Sequence, residues 1–273
     1  MFKKIFLILS LPLFLFSCEE LNNVSEELKV LKENQDLLLK QQADLIKKMA
    51  SLQTAIKSQA SNKAQPKKNN KRKTPNPNIS HNIPVGNSVV LGNPNAKVTV
   101  TKFTDFQWPY CARSVDLIDD LLKKYPNDVK VVIKNFPLSS HKQARQAAQY
   151  ALAAARQFKC GESKSESCYK DVYHKIFEDY RSLKSDPDLP VKIAAELGLD
   201  TEQLIADSNT PEISQLIDTE FAQLTALRNA YPETDEYAAG VRMAVPKFFV
   251  NGREPLGRDV NSFSAMIDEE LKK

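Results

Sequence analysis

Across 273 residues, 38 Lys and Arg stand against 34 Asp and Glu, a formal net charge of +4. That surplus is too modest to define a partner by itself, and 7 glycines with 15 prolines exclude a low-complexity chain. The positive charge is concentrated in one segment, and the 4 cysteines fall in places with different meanings.

Lys3 and Lys4 precede an apolar run from Ile5 to Phe16 that only Ser10 and Pro12 interrupt. The run matches a signal-peptide core and falls short of the ~20 residues that span a bilayer. It ends in Leu15-Phe16-Ser17-Cys18, which resembles the lipobox of bacterial lipoproteins, with Phe16 where a small residue is usual. The expectation is a signal peptide over 1–17 and an acylated Cys18 that anchors the chain in the bacterial cell envelope, since several acyl chains hold where one does not. A plain secretory peptide is the alternative. Export in either form permits disulfides.

From Leu21 to Gln59 a heptad register holds. Leu21, Leu28, Gln35, Gln42, Met49 and Ile56 take position a, and Val24, Leu31, Leu38, Leu45, Leu52 and Gln59 take position d. No glycine or proline interrupts it, so 18–60 is expected to be a coiled-coil stalk. Leu39 and Ile46 at e widen the stripe and favour a parallel trimer, the orientation that N-terminal anchors impose. A lone amphipathic helix is the other reading. Residues 61–84 then carry Lys63, Lys67, Lys68, Lys71, Arg72 and Lys73 with no acid, plus Pro66, Pro75, Pro77 and Pro84. This predicts a disordered basic linker. Nucleic acid is not expected as its partner in an exported protein.

The pattern becomes globular over 85–273. Ser88–Leu91 and Val98–Thr104 read as strands, Pro109–Lys124 as a helix, and Val129–Phe136 as a third strand. Helices follow over His141–Phe158, Tyr169–Arg181, Val191–Leu197 and Glu212 to about Arg228. Lys247–Val250 is another strand, Asn251-Gly252 turns a hairpin, and Asn261–Leu271 closes with a helix. Cys160 and Cys168 bracket a polar turn and are expected to form a structural disulfide. A zinc pair would need two further ligands that the spacing does not supply. Cys111 is then the odd thiol.

Phe103-Thr104-Asp105-Phe106-Gln107-Trp108-Pro109-Tyr110-Cys111 resembles the active-site stretch of DsbA-like thiol-disulfide oxidoreductases, in which two cysteines flank two residues at the start of a helix. Leu91-Gly92-Asn93-Pro94, Phe136-Pro137-Leu138 with His141, and Pro246-Lys247-Phe248-Phe249-Val250-Asn251-Gly252 extend the resemblance over roughly Ser88 to Lys273. It implies an α/β thioredoxin fold with a helical insert at about 140–240 and a cis Val245–Pro246 bond facing the active site. It implies no cofactor and no metal.

The first cysteine position holds Trp108, the single tryptophan. An indole cannot attack a disulfide, and Cys111 in the shielded second position is a poor nucleophile. The resemblance therefore implies a surface that holds exported or unfolded polypeptides at Trp108, Pro109, Tyr110, Val245 and Pro246 without turning over disulfides. Residual oxidoreductase or isomerase chemistry through Cys111 is the alternative, and ordinary packing of Trp108 against the insert, in a domain that only heads an envelope spacer, is a third reading. His141 and His174 read as structural. No phosphate loop or dinucleotide fingerprint is present.

Overall fold

The computed structural model describes residues 18–61, 73–158 and 168–273. The expected signal peptide, residues 62–72 of the basic linker and Cys160 lie outside these residues. Two units divide the chain, Met1–Asn70 and Lys71–Lys273.

In the first unit, α1 is one unbroken helix from Cys18 to Ser61. Its length of 44 residues corresponds to about 66 Å at ~1.5 Å per residue. Heptad side chains such as Leu31 and Met49 are each 64% exposed. Among the described residues no helix is long and apolar enough to cross a membrane.

The second unit is built on a four-stranded sheet in the order β1-β3-β2-β4. Its strands are β1 (Val89–Gly92), β2 (Val98–Thr104), β3 (Val129–Asn135) and β4 (Lys247–Val250). The two central strands, β2 and β3, are parallel in register from Val98↔Val129 to Thr104↔Asn135. Both are dense in β-branched residues because both their faces are covered. The crossover between them runs through α2 (Pro109–Ala112) and α3 (Val115–Lys124). β4 runs antiparallel to β2, with Phe103 opposite Lys247. The C-terminal end of β2 and the N-terminal end of β4 therefore meet at one end of the sheet.

The insert holds α4 (Ala144–Ala154), α5 (Tyr169–Glu178), α6 (Leu189–Glu196), α7 (Thr201–Ser208) and α8 (Pro211–Ala226). The last helix, α9 (Val260–Leu271), lays Phe263 edge-on to Phe248, with ring centroids 5.3 Å apart.

Several local expectations are corrected. The single helix Pro109–Lys124 is broken at Arg113–Ser114. There the Ser114 hydroxyl donates to the Cys111 carbonyl at 2.7 Å, competing with the helical bond. The hairpin at Asn251-Gly252 closes one pair, Val250 with Arg253, and stops. The next inward-facing position is Pro255, which has no N–H to give Phe248.

The end of the expected linker is held to the domain. Residues 73–81 form a strap. Lys73 Nζ pairs with Glu233 at 2.8 Å, and Thr74 accepts the Ala238 N–H at 3.0 Å. Arg253 Nε donates to the Pro77 carbonyl at 2.8 Å, and the His81 N–H donates to Gly252 at 2.9 Å. The His81 ring stacks on Tyr231 and meets Phe249 edge-on. Gly252 has φ +83, and a Cβ there would lie 2.2 Å from the His81 carbonyl. Glycine is what lets the strap cross the hairpin tip. Composition alone hid this, because basic residues and prolines also pack when a surface offers them carboxylates and carbonyls.

Candidate functional site

β2 delivers the site loop. Asp105, buried directly after the strand, accepts the Gln107 N–H through Oδ1 and the Leu138 N–H through Oδ2, both at 2.7 Å. His141 Nδ1 lies 3.0 Å from Oδ1, off the line a good hydrogen bond needs. Burial pushes the Asp105 carboxyl up, against the pull of the Leu138 N–H and His141. Gln107 and Gln143 clasp each other: Gln107 Nε2 donates to Gln143 Oε1 at 3.0 Å, and the Gln143 N–H donates to Gln107 Oε1 at 2.8 Å. The loop is thus fixed to the start of the insert from both sides.

Trp108 is the residue before α2, with extended backbone and no side-chain cap on the helix. Pro109 follows at the first helical position, which its fixed φ suits. The Trp108 ring lies 5.3 Å from Tyr110 and 5.4 Å from His141. Tyr110 is 53% exposed, and the Arg113 guanidinium sits 4.2 Å over its ring. The product is a half-open aromatic platform at the sheet end. His141 is one of its walls, which refines the structural role read from sequence.

Cys111 is 0% exposed and is a free thiol. Its Sγ accepts the Asp105 N–H at 3.4 Å. Burial pushes the thiol up to about 11, more than Lys102 pulls it down. Lys102 is the component that sequence reading missed. Fully buried on β2, its Nζ donates to the Tyr173 hydroxyl at 2.6 Å and approaches the Cys111 carbonyl at 3.5 Å. It also lies 5.3 Å from the Tyr173 ring centroid and 5.5 Å from that of Phe177. Burial pushes it down to about 8. A lysine in a strand that alternates threonine with valine and phenylalanine gave no clear signal of burial. His174 is indeed packed, with Nε2 3.3 Å from Asp119 and its ring tilted on Tyr173.

Across the sheet end, the Val245–Pro246 bond is cis. Val245 is 4% exposed and Pro246 is buried, so neither offers side-chain surface. The Val245 N–H and C=O make no hydrogen bond among the described residues. Lys247, next in sequence, is buried against Glu254. Cys168, the residue before α5, is disulfide-bonded. Among the described residues no group of His, Cys, Asp and Glu could hold a metal ion.

The comparisons fit this geometry. A family model described as thioredoxin matches residues 85–269. A thioredoxin-like oxidoreductase from Silicibacter pomeroyi DSS-3 is 28% identical, with 69% of this chain and 94% of that one covered, at a TM-score of 0.51. BdbD from Bacillus subtilis, 20% identical, covers 72% of this chain and 100% of its own, at 0.58. DsbA of Chlamydia trachomatis, 14% identical, covers 72% and 97%, at 0.54. In these last two the likeness is one of fold. Among curated proteins, a Na(+)/H(+) antiporter NhaA of Herminiimonas arsenicoxydans is 27% identical over 180 residues, which is 66% of this chain. The chain spans about a quarter of the length of the curated relatives it matches.

Proposed function

Since this chain belongs to the thioredoxin family and folds in its DsbA-like form, we propose that it holds extended, exported polypeptides without exchanging their disulfides. One observation carries the reading: an indole stands where the attacking thiol is needed, and the remaining thiol is sealed. A thiol held at about 11 is thiolate in only about one molecule in 10⁴ at neutral pH, and the thiolate is the nucleophile. Resolving a mixed disulfide would need a second sulfur that the platform lacks. Binding asks for less. The aromatic platform of Trp108, Tyr110 and His141 supplies apolar contact, and the unpaired backbone of Val245 can add a strand of peptide. With Val245 almost buried, a client would reach it through main chain alone.

The cellular setting belongs to the same proposal. Lipidated Cys18 anchors the protein in the bacterial cell envelope, and the 18–60 helices assemble in parallel, as a trimer. Client-aggregation kinetics and insulin reduction on the full chain test the reading together. The native protein should slow aggregation of a reduced, unfolded client and show no dithiol turnover. Trp108→Ala should weaken holding by about 1–2 kcal/mol, whereas Cys111→Ser should leave it in place. Trp108→Cys should gain reductase activity. Loss confined to Cys111→Ser would restore the thiol-exchange alternative.

A further inference from the structure

Arg113 touches the platform, and two further exposed arginines, Arg242 and Arg258, stand near Lys247 at the same end of the sheet; none of the three forms an ion pair among the described residues. Arg113 ends α2 and is exposed, poised on the Tyr110 ring at 4.2 Å. Arg242 is exposed three positions before Val245, and Arg258 is exposed on the segment that returns past β4. Both stand near Lys247. Burial does most to lower the Lys247 ammonium, and the charges of Arg258 and Arg242 lower it further against the pull of Glu254. Because Phe103 pairs with Lys247, Arg113 and the Arg242–Arg258 pair flank the same end of the sheet.

Among the described residues none of the three forms an ion pair, nor do Arg181 and Arg228, whereas Arg145, Arg156 and Arg253 each hold a carboxylate elsewhere on the domain. Three acids near this end of the sheet already have partners. Asp105 is buried under backbone N–H groups, Glu254 takes Lys247, and Asp259 caps α9 through the Ser262 N–H at 3.0 Å. Asp116, a turn beyond Arg113, is exposed and forms no ion pair with it. The acidic run 233–236 begins with Glu233, which is taken by Lys73 of the strap.

We infer that the client held at this site is an acidic extended segment, with carboxylates flanking an apolar centre that rests on Trp108 and Tyr110. The inference rests on the polypeptide-binding reading and adds the charge of the ligand. Guanidinium forks suit carboxylates because they offer parallel N–H donors. Separate charges along a strand path select opposite charges without fixing a sequence.

Trp108, as the single tryptophan, reports binding directly. The experiment titrates the full chain with unstructured peptides that share an aromatic–aliphatic core and differ only in Glu, Gln or Lys flanks. At low salt the Glu peptide should bind about tenfold tighter than the Gln peptide and the Lys peptide weakest. In 1 M salt, where the screening length is ~3 Å, the three should converge. The combined Arg113→Gln, Arg242→Gln and Arg258→Gln variant should bring the Glu peptide to the level of the Gln peptide. Equal binding of all three peptides with a clear Trp108 response would overturn the inference and leave the binding reading standing. A preference for Glu that survives in the triple variant would also overturn it. If no peptide perturbs Trp108 and none is retained, the binding reading fails and this inference falls with it.

Discussion

Lys102 and Cys111 set opposing responses to alkali. Burial moves the lysine from 10.5 to about 8 and the thiol from 9.0 to about 11. Between pH 8 and 9 the unfolded chain keeps the Lys102 proton that the folded chain releases, so stability rises, by about 1 kcal/mol for this group. Lys134 and Lys247, also lowered chiefly by burial, add in the same direction. Above pH 9 the unfolded thiol ionises while the folded one does not, and that loss offsets the gain. Urea unfolding across pH 7 to 10.5 should therefore show stability climbing to about pH 9 and then flattening. Lys102→Met should reduce the climb and be more stable at pH 7 by about 1–2 kcal/mol. Cys111→Ser should let the climb continue. A wild-type midpoint that falls from pH 8 to 9 would contradict this assignment. The pair was half legible in the sequence: the motif marked Cys111, but a lysine in a strand normally reads as facing solvent. Only the packing of Tyr173 and Phe177 over β2 shows that it does not.

At the scale of elements, Glu220 joins the insert to the sheet. On α8, its carboxylate accepts the Ser88 hydroxyl and the Asn135 N–H, both at 2.6 Å, and Asn135 Nδ2 at 2.8 Å. Lys134 caps the same cluster by donating to Pro84 at 2.8 Å and Ser88 at 2.8 Å. Removing one partner from such a buried network is costly. Glu220→Ala should lose about 3–5 kcal/mol, and Glu220→Gln about 1–3, measured by denaturant midpoint. The elements themselves were largely legible. β2 and β4 have the limits that their β-branched and aromatic runs suggest, and the α4, α5, α8 and α9 patterns lie within a few residues of the observed helices. α7 was missed because its apolar face is thin, with Leu204 as its buried anchor. Its signal was the cap: Asp200 accepts the Gln203 N–H at 2.9 Å, and an acid followed three residues on by glutamine is a helix-start pattern. The Arg113–Ser114 break and the arrested hairpin were not legible, since both depend on single side chains competing with backbone bonds.

For the whole molecule, the two units make separate demands. α1 exposes its apolar heptad residues from Leu28 to Leu52, a stripe that a parallel trimer would bury. Light scattering should find the delipidated chain trimeric and a chain lacking residues 1–60 monomeric. A monomeric full-length chain would defeat the stalk proposal. The second unit spans Lys71–Lys273, with described contacts from Lys73, whereas the family match begins at 85. A chain started at residue 85 should be less stable than one started at 71 by on the order of 2–4 kcal/mol, the worth of a few hydrogen bonds and the His81 packing. Thermal unfolding of the two would show it. The strap also has a mechanical consequence. Its attachments lie in series, Lys73 and Thr74 first, Pro77 next, Ser80 and His81 last. A force applied at residue 73 would part them one after another, freeing a segment about 30 Å long when extended at ~3.3–3.6 Å per residue before the pull passed directly to β1. Residues 73–81 would act as a shock absorber, yielding in steps and reseating when the force is removed.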